Sequence, residues 1–308
     1  MFRQTATRLQ SLPREKVKAF INSFDTVLTD CDGVIWLFND ALAGAPNVIN
    51  RFLETGKKVF FVTNNSTKSR DEFLKKATDL GFNMTRDGII STAYLAAQYL
   101  KHQGFSRTAY IVGSQGIVQE LDAVGIKNIG FGPDVLKNGL GSFVNEELEK
   151  NPEVGAVVVG FDEHFSFPKL IRACSYADDP ECLFVATNTD ERFPLAHCVI
   201  PGTGAIVRCV ETAAERKAFI VGKPNPYICE ALIKEHNVNP ARTLMIGDRC
   251  NTDILLGTNC GFQTLLVETG IHKECDVKSW LASNDPEERK LVPDVITSKL
   301  ADLLEYID

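Results

Sequence analysis

The chain has 308 residues, with 33 Lys and Arg against 40 Asp and Glu, a formal net charge of −7 and 44% hydrophobic residues. An acidic balance with no Lys/Arg run longer than two gives no electrostatic footprint for nucleic acid or for an anionic membrane surface. No stretch approaches the roughly 20 consecutive apolar residues of a spanning helix.

The N-terminus has no signal-peptide apolar segment, which reads as a cytoplasmic chain. Nine scattered cysteines without a C-x-x-C pair read as reduced thiols and not as a zinc ribbon or disulfide framework. A chain of this length has material for two cores.

In chain order, a helix is expected over Arg14 to Ile21, then a buried parallel strand over Thr26 to Thr29. Val48, Ile49, Phe52 and Leu53 fall at helical spacing, with Gly56 as the stop. A second strand follows over Lys58 to Thr63, then a helix from Ser69 to Leu80 closed by Gly81.

From Phe105 to Arg216 the alternation continues with new apolar runs at Ala109–Val112, Ala156–Val159 and Leu183–Ala186. A segment of that length cannot be a loop. It reads as an inserted α/β domain with a hinge near Gly202–Gly204. The first pattern resumes with Ala218–Val221, a helix over Pro226 to His236, and strands at Thr243–Ile246, Thr264–Val267 and Val295–Ile296; Trp280 to Lys290 reads as an exposed loop.

The expected fold is therefore α/β: a doubly wound, Rossmann-like parallel sheet in a core domain (1–104 and 217–308) with a large inserted α/β domain (105–216). Sites in such sheets lie at the carboxyl ends of the strands, and four polar motifs stand there. Asp30-Cys31-Asp32-Gly33 offers one carboxylate as a nucleophile and a second as an acid and base, while Gly33 permits a sharp turn.

Thr63-Asn64-Asn65-Ser66 is a neutral donor cluster suited to a phosphoryl oxygen. Gly222-Lys223-Pro224 supplies a fixed positive charge. Gly247-Asp248-Arg249, with Asp253, supplies carboxylates for a cation. Oxygen donors from Asp30 and Asp248 select Mg²⁺ over zinc. The five histidines, His102, His164, His197, His236 and His272, show no paired metal spacing and read as surface or packing residues. Cys31 reads as a small packed thiol, since strand side chains alternate.

This ordered set of motifs resembles the haloacid dehalogenase superfamily of aspartate-nucleophile phosphatases. It is nearest the branch of phosphoglycolate phosphatases, pyridoxal phosphatases (chronophins) and 4-nitrophenylphosphatases. The resemblance implies that Asp30 attacks phosphorus and becomes an aspartyl phosphate, while Asp32 protonates the leaving alkoxide and then activates water.

It further implies that Thr63, Asn64, Asn65 and Lys223 bind the phosphoryl group, and that Mg²⁺ sits on Asp30, the backbone carbonyl of Asp32, and Asp248, with Asp253 in support. The inserted domain corresponds to the family's cap, which reads the leaving group and through which two copies often pair. Arg192, within Asn188-Thr189-Asp190-Glu191-Arg192-Phe193, could face a small anionic leaving group, and Phe193 stands where pyridoxal phosphatases carry a histidine.

The implied substrate is a small phosphorylated metabolite, phosphoglycolate or glycerol 3-phosphate first. Pyridoxal phosphate and phosphotyrosine protein are the alternatives. A non-turnover phospho-acceptor signalling module is a distant one; it predicts a single compact domain.

Overall fold

Short runs of apolar and β-branched residues, buried from end to end, make several of the strands of this chain. Thr26–Thr29, Thr108–Val112, Val154–Val159 and Val295–Thr297 have no exposed residue, the pattern of parallel strands covered by helices on both faces. The structure is a computed structural model that describes residues 3–192 and 198–307. The chain divides into two compact units. One takes in the residues up to Thr63, then Asp71–Ile90 and the chain from Lys223 onward; the other takes in Asn64–Arg70 and Ser91–Gly222.

The first unit is built on a seven-stranded sheet in the order Thr7–Arg8, Val295–Thr297, Gln263–Val267, Thr243–Gly247, Thr26–Thr29, Lys58–Thr63, Ile89–Ser91. The pairs from Thr7–Arg8 across to Lys58–Thr63 are all parallel. Thr26–Thr29 lies between Thr243–Gly247 and Lys58–Thr63, with further strands beyond both, so the Asp30–Gly33 turn leaves from the interior of the sheet and not from an edge.

Helices Arg14–Ile21 and Ala45–Glu54 lie where sequence periodicity sets them, and Gly56 takes a left-handed φ of 81° just past the second. Trp36, Phe61 and Phe82 meet edge to face at 5.4 to 6.0 Å in the core beneath the first strands. Such a trio contributes about 0.5–1.5 kcal/mol per pair beyond its burial.

The second unit has its own five-stranded sheet, ordered Phe219–Ile220, Leu183–Ala186, Val154–Val159, Thr108–Val112, Asn128–Ile129 and parallel throughout. Two parallel α/β sheets, one inserted in the chain of the other, are the architecture expected from the alternating pattern.

The inserted unit reaches further than 105–216. The Thr92–His102 helix packs on the Gln115–Ala123 helix, and the Arg70 guanidinium stacks 3.8 Å from the Tyr94 ring while pairing with Glu120 at 3.1 Å. The strand expected at Ala218–Val221 is also part of this unit: Phe219 and Ile220 pair with Val185 and Ala186, and Phe219 stacks on Tyr99 at 4.3 Å. An apolar run announces a strand but not the sheet that it joins.

At Gly202–Gly204, read from sequence as a hinge, the Thr203–Ala213 helix begins. A Cβ at Gly202 would lie 2.3 Å from the Asp190 carbonyl oxygen and one at Gly204 2.4 Å from that of Thr189, so the glycines serve close packing. Trp280 to Lys290 holds the end of the Glu274–Ala282 helix and the short Pro286–Arg289 helix instead of a loop, with Trp280 against the His272 ring at 5.1 Å.

Candidate active site

At the carboxyl end of the first unit's sheet, one lysine stands among three carboxylates. Lys223 Nζ lies 2.5 Å from Asp30 Oδ1 and 2.8 Å from Asp253 Oδ1, and it donates to the Val62 carbonyl at 3.0 Å. The Val62 bond ties the lysine to the end of the strand that carries Thr63, which is buried. Ligand atoms of Asp30, Asp248 and Asp253 all lie within 4.8 Å of one another. Sequence reading thus named the residues that meet here, although Lys223 follows a strand of the other unit's sheet.

Three glycines make this crowding possible. Gly33 has a φ of 86°, and a Cβ there would lie 2.9 Å from Asp248 Oδ2. At Gly270 the same atom would be 1.8 Å from that oxygen, and at Gly247 it would be 2.1 Å from Asp253 Cβ. The glycine of the first motif therefore makes room for the carboxylate of the fourth. Asp248 Oδ2 accepts the Ile271 amide at 2.8 Å, and Asp253 Oδ2 accepts the Arg249 amide at 3.1 Å. Gly270 and Ile271 were not among the expected site residues, and Gly247 was named only as the start of its motif; the Gly247 and Gly270 contacts depend on approach between residues.

Burial, then the charges of Asp30 and Asp253, push the Asp248 carboxyl up to about 8. Burial and Asp30 raise Asp253 to about 6 against the pull of Lys223. Burial alone would lower the Lys223 ammonium, but Asp253 and Asp30 hold it well above its usual range. Three carboxylates against one cation leave excess negative charge in a buried, all-oxygen donor set. A divalent hard cation fits that set and would relieve the repulsion.

Asp32 stands apart from this cluster. Its carboxylate accepts the Trp36 indole N–H at 3.1 Å, and burial followed by the Asp30 charge raises its pKa. A carboxyl whose protonated form is favoured by burial, two residues from a second carboxylate, suits an acid/base next to a nucleophile. Trp36 is fully buried in the aromatic trio. Cys31 between the acids is buried in the core, and burial raises its thiol well above its usual range. The thiol is packed, as strand alternation predicts.

Asn64, Asn65 and Arg192 belong to the second unit. Asn64 Nδ2 donates to Asp190 Oδ2 at 3.2 Å, Asn188 Nδ2 donates to the same oxygen at 2.9 Å, and Asn65 Oδ1 accepts the Thr67 amide at 2.8 Å. Arg192 is exposed and bridges antiparallel to Pro201. Phe193 and His197 lie outside the described residues. His272 Nδ1 accepts the Cys250 amide at 2.8 Å and His236 packs on Phe60 at 4.9 Å, as packing residues do.

Comparison with known proteins gives the family. A family described as haloacid dehalogenase-like hydrolase matches residues 27–127, and a HAD-hydrolase-like family matches residues 220–303. The chain is 42% identical over 307 residues to glycerol-3-phosphate phosphatase of Homo sapiens, covering 96% of this chain and 95% of that protein. It is 39% identical over 289 residues to chronophin of Homo sapiens, covering 92% and 93%. A p-nitrophenyl phosphatase from Archaeoglobus fulgidus superposes with a TM-score of 0.78 at 24% identity, covering 92% of this chain and 98% of that one, which speaks to the fold.

Proposed function

Since the chain belongs to the haloacid dehalogenase-like hydrolases and is a phosphoric monoester hydrolase, we propose that it cleaves small phosphate monoesters, glycerol 3-phosphate and phosphoglycolate foremost, through an aspartyl phosphate on Asp30. The observation that carries this reading is the Lys223 ammonium held between Asp30 and Asp253, with Asp248 beside them.

Asp30 attacks phosphorus as the ester P–O bond breaks, and Asp32 gives its proton to the departing alkoxide. Asp32 then takes a proton from the water that hydrolyses the aspartyl phosphate. Lys223 fixes Asp30 and offsets charge on the transferring group, with Thr63 as a further donor. Mg²⁺ on Asp30, Asp248, Asp253 and the Asp32 carbonyl would supply charge neutralisation at the phosphoryl oxygens. Asn64 and Asn65, which follow Thr63 directly, are proposed as phosphoryl ligands, and Arg192 as a contact for an anionic leaving group.

Glycerol 3-phosphate leads because the 42%-identical human relative bears that name, and chronophin supports pyridoxal phosphate as the second choice. Among the described residues no helix is long and apolar enough to cross a membrane. A cytoplasmic enzyme paired as a homodimer through the inserted unit completes the proposal; exposed Val135, Leu140, Val144 and Phe167 on that unit support the pairing.

The test is kcat/KM, with Mg²⁺ and with EDTA, for glycerol 3-phosphate, phosphoglycolate, pyridoxal phosphate and a phosphotyrosine peptide. The first two should lead and EDTA should abolish turnover. In Asp32→Asn the turnover of the best substrate should fall about 10²–10⁴-fold, the usual share of a general acid and base. An unchanged rate would remove Asp32 from the reaction.

A further inference from the structure

The second unit contains a cavity of about 300 Å³ that plays no part in the chemistry above. It opens beside the Thr108–Val112 and Asn128–Ile129 strands at the edge of the five-stranded sheet. We propose that it binds a small organic cation, an amine carried on a flat apolar body.

The walls supply the flat surface. Tyr110 and Tyr176 lie 5.2 Å apart, ring to ring, and Phe131 stands more exposed beside them. Gly130 lets the loop press against Tyr110, since a Cβ there would come 2.7 Å from the ring. The volume lies at the lower end of small-molecule sites, and such aromatic faces attract cations.

The polar lining sets the sign of the ligand. Asp134, Glu149 and Arg172 give one net negative charge, and the one cation is already committed. Arg172 Nε donates to Asp134 Oδ2 at 2.9 Å, a second guanidinium nitrogen donates to the Glu147 carbonyl at 3.1 Å, and the group lies 4.9 Å from the Phe143 ring. Asp134 Oδ1 and the exposed Glu149 carboxylate take no hydrogen bond from any described residue.

The hydroxyl of Tyr110, the most buried of the three aromatic walls, likewise has no partner among the described residues. A cationic ligand would offset the net negative charge of this lining. An anionic phosphate ester would meet unneutralised charge, which makes this a site distinct from the substrate's.

The full chain would be titrated with phenethylamine, followed by saturation-transfer NMR and calorimetry. Phenylacetate, of the same body and opposite charge, serves as the control. Phenethylamine should bind one per chain and phenylacetate should not. In Glu149→Gln, an exposed position where the fold is not at stake, affinity for phenethylamine should fall about tenfold, the loss of one charge-assisted contact. Equal binding of phenylacetate, or undiminished binding by Glu149→Gln, or no binding of phenethylamine at millimolar concentration, would overturn the proposal.

Discussion

Both units bury charge, and they do so differently. In the second, Lys169 Nζ meets Asp162 Oδ2 at 2.5 Å with both side chains fully buried, and Arg70 meets Glu120, whose carboxylate also accepts the Arg70 amide at 2.6 Å. Each cation there has its own carboxylate. In the first unit, three carboxylates crowd one lysine. Matched buried pairs hold a fold together, whereas unmatched buried charge is costly and persists where a ligand or a reaction uses it.

That contrast can be broken first at the matched pair. Lys169→Met leaves Asp162 as a lone buried charge and should cost about 3–5 kcal/mol in urea unfolding, while Lys169→Met with Asp162→Leu should recover most of it. A small loss in the single variant would mean that the pair is hydrated and the comparison false. At the unmatched cluster, Lys223→Met should lower kcat about 10²–10³-fold, the usual loss for one fixed electrostatic group, and steady-state kinetics on 4-nitrophenyl phosphate reads it.

The smallest effect has the opposite sign. Burial and neighbouring acids raise Asp248 to about 8, so its ionised form costs the folded state stability. That cost is full above about pH 8 and fades as the carboxyl protonates at lower pH. In EDTA at pH 8, Asp248→Asn should be more stable than the parent, with the gap narrowing toward pH 5. Mg²⁺ should raise the parent's melting temperature and leave the variant's unchanged. A parent as stable as Asp248→Asn throughout would show that the acids do not repel.

Much of this was legible in the sequence, for identifiable reasons. Thr26–Thr29, Lys58–Thr63 and Thr243–Gly247 are apolar runs that end in polar residues, so strand and motif could be read together. Asp30, Asp248 and Asp253 were named from the first and third of those ends and Lys223 from the end of the Ala218–Val221 run, and they meet.

The features that escaped the sequence depend on contacts between distant residues. Phe219 and Ile220 join the second sheet through Val185 and Ala186, and two apolar residues hold no record of that choice. The need for glycine at 33 and 270 arises from a carboxylate at 248, and Trp36 reaches Asp32 only because the chain turns at Gly33. Phosphatase chemistry is local to strand ends; its support is not.

Asp30 is the point on which the account turns, and its phosphorylated form can be trapped. The full chain, mixed with Mg²⁺ and 4-nitrophenyl phosphate and quenched with borohydride, should yield homoserine at position 30 by peptide mass spectrometry, and only when substrate is present. Active enzyme that gives unmodified aspartate at position 30, or reduction at another residue, would contradict it.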